Sequence, residues 1–238
     1  MDKDGLHLSL TRDAARAATA ISARGARLAL GAGVAFFVTF ALAHLARADL
    51  DPSWQPISVY AIGAYGWMMT LAFLLWGVSP IGVFVALRPQ VRTRSGRMGL
   101  ACLLIGAGGP LLAAFFPADS LSAETMSTTG RLHELGAVLG DGIPLAAAFL
   151  TWSLLRNNPS WRPARLALIS TAALTWVGVV TLTACLALYL PRHGGRLGPS
   201  VPMGWPSRLL IVAEVTWLMI AAAFATKVAG EKTSGEER

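Results

Sequence analysis

Three ionisable residues stand inside one apolar run. His133 and Glu134 open it after Gly130-Arg131-Leu132, and Asp141 follows seven positions after Glu134, between Gly140 and Gly142. A histidine with carboxyls beside it is the smallest set that moves protons, because imidazole titrates near neutrality and a desolvated carboxyl holds its proton there. Hydrocarbon penalises an ionisable side chain at a helix centre by roughly 2.5–3.5 kcal/mol, so residues kept at such depth are candidates for function. Asp119 follows Phe116-Pro117-Ala118, and Glu214 lies in another apolar run, six residues after Arg208. Asp119, His133, Glu134, Asp141 and Glu214 are therefore the candidate catalytic set. His44, Ser58, Tyr60, Trp67 and Trp217, the polar and aromatic residues of neighbouring runs, are candidates for holding a substrate.

The backbone around Asp141 is weak by composition. Glycines flank it, and Pro144 deprives the Gly140 carbonyl of its helical donor. A freed carbonyl beside a carboxyl makes a polar pocket able to take a cation, a proton or a substrate amine. On an ideal helix Glu134 and Asp141 share a face. Plainer roles exist for each residue: Asp119 as a cap or turn former, Glu214 as the partner of Arg196 or Arg208, and His133 as headgroup-level surface.

Other chemistries lack their motifs. The chain has no H-E-x-x-H, no G-x-S-x-G, no phosphate-binding loop and no dinucleotide fingerprint. No two histidines share a helical face, so no metal site and no cofactor are expected. The net charge of +7 is spread over short loops rather than gathered on one face, which argues against a nucleic-acid partner.

The elements that must carry these residues are helices in a bilayer. The chain has 238 residues, 54% hydrophobic and 14% charged, against about a quarter charged in a soluble domain. Six spans are predicted: 28–45, 65–87, 98–116, 131–155, 166–190 and 209–226. The uncharged stretch 57–87 would be about 46 Å long as one helix, against a hydrocarbon core of about 30 Å, so its aromatic first third is assigned to the interface. Ser79-Pro80 is expected to kink the second span. The first run precedes Ala46-Arg47-Ala48, as a cleaved signal would, but its length favours a retained span.

The fold class is thus an all-α polytopic bundle, with a tail over 1–26, a membrane domain over 27–227 and a second tail over 228–238. Fifteen lysines and arginines fall to the side of the termini and five to the other, which makes both termini cytoplasmic and the protein a multi-pass component of the cell membrane. Cys102 and Cys185 fall in opposite leaflets and are expected as free thiols.

Ser58-x-Tyr60 leading to Gly66-Trp67, Gly108-Gly109 within a span, Phe116-Pro117-x-Asp119 and Gly130-x-x-His133-x-x-Gly136 resemble the bacterial membrane family catalogued as domain of unknown function 998. The resemblance covers roughly residues 28–226. It implies a multi-helix membrane protein with Asp119 and His133 as signature polar residues. From the residues themselves, the expected function is a cofactor-independent, membrane-embedded enzyme isomerising, rearranging or cyclising a small amphipathic substrate, with His133 as base and Asp141 or Glu214 as acid. A proton-coupled transporter and a non-catalytic membrane subunit are the alternatives.

Overall fold

In the computed structural model the backbone is described for residues 3–236 and the side chains for residues 17–228. Among the described residues seven α-helices make the architecture: α1 Lys3–Ala46, α2 Gly66–Leu87, α3 Arg94–Phe115, α4 Thr128–Gly140, α5 Gly142–Asn157, α6 Arg165–Tyr189 and α7 Gly204–Glu236. With α4 and α5 running as one broken rod, they provide six stretches long and apolar enough to cross a membrane. Many large apolar side chains point outward, among them Leu166, Val138, Val180 and Phe115. On a water-soluble protein so much exposed hydrocarbon would drive association; in a bilayer it meets lipid tails.

Helix α1 is longer than expected. It runs unbroken from Lys3, so the segment read as a tail is helical and continuous with the first span. Its alanine-rich sequence contains no proline to stop it. Helix α7 likewise continues to Glu236. Of the basic residues counted to the side of the termini, the side chains of Lys3, Arg12, Arg16, Lys232 and Arg238 lie outside the described residues. Helix α2 begins at Gly66, as the interface argument requires, and stays helical through Pro80. Cys102 and Cys185 are both free.

Packing follows residue size. Helix α1 lies against α2 and α7, α3 bridges α2 to α4 and α5, and α6 rests on α7. Helix α3 meets the broken rod through glycines. A Cβ on Gly109 would fall 2.5 Å from both the Gly136 carbonyl and the Gly140 amide, and one on Gly106 would fall 2.7 Å from the Ile143 amide. Those helices therefore touch backbone to backbone, a contact open only to residues without side chains. In the core Phe36, Met69, Leu103, Ile143, Leu150 and Leu218 are fully buried.

Candidate functional site

The end of α3 is fastened to the start of α4 by a polar clasp. Ser127 caps α4, its hydroxyl accepting from the Gly130 amide at 3.0 Å. Asp119 in turn accepts from the Ser127 hydroxyl at 2.6 Å and from the Ser127 amide at 2.8 Å. Gly130 is needed because its Cβ position is filled by the Asp119 carboxylate. The Ser127 hydroxyl, and after it the Ser127 amide, holds the Asp119 carboxyl below the usual carboxylate range. Asp119 is thus the plainer thing the sequence allowed, a capping residue at one remove.

One turn into α4 the clasp takes hold of His133. Its Nδ1 lies 2.9 Å from the Phe116 carbonyl, which can only accept, so Nδ1 carries the hydrogen. In the neutral ring Nε2 is then a lone pair, and it makes no hydrogen bond among the described residues. The ring is buried and meets Phe73 edge-on, with centroids 6.0 Å apart.

His133 forms part of the wall of a cavity of about 190 Å³ enclosed by α2, α3, the α4–α5 rod, α6 and α7. Asp141, Glu214, Ser58, Phe73 and Trp76 share that wall with Gly109, Pro110, Gly136 and Gly140, so the glycine seam also shapes the chamber. Asp141 sits at the break itself. Its amide reaches back to the Val138 carbonyl at 3.3 Å, α4 ends at Gly140, and α5 starts at Gly142. The weakness expected from Gly140, Gly142 and Pro144 is therefore a true interruption. Asp141 is exposed, facing the side of the bundle near Leu182 of α6.

Glu214 is its opposite. It is 2% exposed, and its Oε2 is buried without a hydrogen-bond partner. The indole Nε1 of Trp76, which addresses Glu214, is also buried without a hydrogen-bond partner among the described residues. Arg208, the partner the sequence offered for Glu214, lies about 120° round α7 at ~100° per residue and is engaged elsewhere. Its Nε donates to His44 Nε2 at 3.0 Å, and its Nη1 to the carbonyls of Gln55 and Gly204, each at 3.0 Å. Its guanidinium also covers the Tyr60 ring at 5.3 Å. His44 stacks on Tyr60 with centroids 4.4 Å apart and fixes its tautomer through the Phe40 carbonyl, 2.8 Å from Nδ1.

A second hollow of about 390 Å³, a vestibule, adjoins the cavity. Pro56, Ser58 and His133 line both, so His133 stands where the two meet. Asp119, Glu124, Glu134 and Arg196 belong to this vestibule.

Of the candidate residues, the structure brings His133, Asp141, Glu214 and Ser58 to one chamber. Glu134 and Asp119 belong to the vestibule, and His44 and Tyr60 to the Arg208 cluster. Trp67 is 63% exposed on the bundle surface. Trp217 is fully buried away from the cavity, its indole donating to Thr151 Oγ1 at 3.0 Å. Trp76 and Phe73 line the chamber without having been singled out, because within an apolar helix nothing distinguishes them from packing residues.

Residues 30–224 match the family described as "Protein of unknown function (DUF998)", and the chain belongs to that family. No curated protein and no solved structure matches it.

Proposed function

We propose that this chain is a membrane-embedded enzyme that moves protons with its own side chains, isomerising, rearranging or cyclising a small amphipathic molecule. One observation carries the reading: a tethered His133, with Nε2 free, shares a chamber with two carboxyls that have no ion pair among the described residues. In an isomerisation His133 Nε2 takes a proton from a C–H beside an unsaturated or carbonyl group, the double bond shifts, and Glu214 returns a proton at the new position. Nothing is gained or lost overall, so no external reductant or nucleophile is needed. Asp141, on the same wall, passes back to Glu214 the proton that His133 has taken and resets the pair. The glycine seam and Phe73 hold the substrate body against these groups.

The enzyme resides in the cell membrane with both termini cytoplasmic, which puts the vestibule on the outer face. Reporter fusions at Ser234 and within the loop 120–129 should then lie on opposite sides; the same side for both sinks the orientation.

Protein in nanodiscs, incubated with an extract of amphipathic metabolites, should convert one species into another of equal mass and different retention, and His133→Ala should lose the conversion. A proton-coupled transporter is the second reading, favoured by a carboxyl standing in a broken helix. Uptake into sealed vesicles that collapses with the proton gradient, without chemical change in the solute, would support it over the enzyme.

A further inference from the structure

We infer that the chamber recognises an organic cation, a small protonated amine with an apolar or aromatic body, and that Asp141 and Glu214 receive its ammonium group. This rests on the same chamber as the proton-transfer reading but requires no turnover.

The charge of the wall is the first observation. Two acids contribute to it and no lysine or arginine does. The buried cation of α7, Arg208, is held by His44, Gln55 and Gly204 instead. A chamber in low dielectric with two carboxyls and no fixed cation is electrostatically incomplete, and a ligand with a positive charge completes it.

The second observation is the unsatisfied pair at the closed end. Buried polar atoms in folded proteins nearly always have partners, and one without a partner at a cavity wall is accounted for by a water, an ion or a ligand. Glu214 Oε2 and Trp76 Nε1 both lack partners, and both residues line the chamber. The other carboxylate oxygen, Oε1, is left for an ammonium in the chamber, while the indole N–H closes on the sealed Oε2 and supports its charge. The faces of Phe73 and Trp76 suit a cation and its hydrocarbon. At about 190 Å³ the space lies below the ~300–1,000 Å³ usual for drug-sized ligands, so the amine is small.

The approach points the same way. Three acids, Asp119, Glu124 and Glu134, stand in the vestibule against one arginine, Arg196. Such an entrance concentrates cations, and more strongly at low salt.

The probe is 2-phenylethylamine, compared with 2-phenylethanol and 3-phenylpropionate, titrated calorimetrically into the full chain in nanodiscs at pH 7. The amine should bind at least tenfold more tightly than the alcohol, and the carboxylate not at all. Glu214→Gln, which keeps the shape, should weaken amine binding tenfold or more while leaving the alcohol unchanged. Asp141→Asn, at the exposed mouth, provides a second test should the Glu214 variant fold poorly, and should weaken the amine severalfold. Equal binding of amine and alcohol, or amine binding unchanged in both variants, overturns the inference. A chain that binds amines yet converts nothing defeats the enzyme reading and leaves this one standing; one that isomerises neutral species while ignoring amines does the reverse.

Discussion

Two polar clusters lie within the same membrane-embedded helices, and they are built on opposite plans. Around Arg208 the groups are engaged: three hydrogen bonds, a stacked His44 and an underlying Tyr60 leave only Nη2 without a partner. Around Glu214 there is no ion pair and no ordinary hydrogen bond among the described residues, although the carboxyl is as deeply buried. Hydrocarbon tolerates the first arrangement because internal partners replace water. It penalises the second, and the helices retain it at the wall of a cavity. The contrast separates a cluster that holds helices together from one left open to something else.

The strongest test removes the open cluster. Positioned acids and bases contribute about 10²–10⁴-fold to a rate, so His133→Ala and Glu214→Gln should each lower turnover by that factor. Asp141→Asn should abolish turnover as well, while its thermal midpoint in detergent stays near wild type. Glu214→Gln should unfold no more easily than wild type, since a neutral amide replaces an unpaired carboxyl. Full activity in Asp141→Asn across pH would remove the carboxyl at the helix break from the mechanism and throw the chemistry back on His133 and Glu214.

The engaged cluster should give the reverse pattern. Arg208→Ala removes charged hydrogen bonds worth about 1.5–3 kcal/mol each and a cation–π contact worth about 0.5–1, partly offset by no longer burying a cation. A net loss of about 2–3 kcal/mol is expected, read as a lowered unfolding midpoint with residual specific activity retained by the folded fraction. If Arg208→Ala is as stable as wild type, the two clusters do not differ as argued.

How far the sequence foretold this division depends on distance along the chain. The spans were legible because each is continuous, and the break at Asp141 because Gly140, Gly142 and Pro144 are its neighbours. The capping role of Asp119 was visible as a local alternative. What stayed hidden needed long-range contacts: His44 and Arg208 are 164 positions apart, and nothing local says that Arg208 turns to His44 rather than to Glu214. Trp76 looks like any buried aromatic until Glu214 is seen beside it. Trp67 and Trp217 looked alike in sequence, yet one faces outward and the other is sealed in the core.

A smaller effect is expected where both clusters depend on the scaffold. Gly109→Ala puts a methyl 2.5 Å from backbone atoms of Gly136 and Gly140, which cannot turn aside as a side chain would. Overpacking of this kind costs about 1–3 kcal/mol and should part α3 from α4. Because Gly109 lines the chamber, amine binding should fall with stability, whereas Gly108→Ala, with open space around its Cβ position, should change neither. Equal behaviour of the two variants would mean that the seam is not what shapes the chamber.

The mildest test concerns the clasp, which belongs to neither cluster but aims His133. Asp119 is solvent-facing, and the Ser127 hydroxyl and amide keep its folded pKa below the unfolded value of about 3.9. Its contribution is therefore complete above the unfolded pKa and is lost as the pH falls through the folded one. Asp119→Asn keeps the shape but not the charge, so the difference in midpoint between wild type and variant should be small and constant from pH 5 to 8. It should shrink towards zero in stronger acid, where both side chains are neutral. A difference that widened on acidification would have the wrong sign and would place the carboxylate in an environment that opposes its charge. Since the clasp sets the backbone from which Phe116 holds His133, the variant should also lose some turnover at neutral pH, less than His133→Ala does, with amine affinity little changed. A loss as complete as that of His133→Ala would make Asp119 part of the chemistry itself and would move the catalytic boundary from the chamber out into the vestibule.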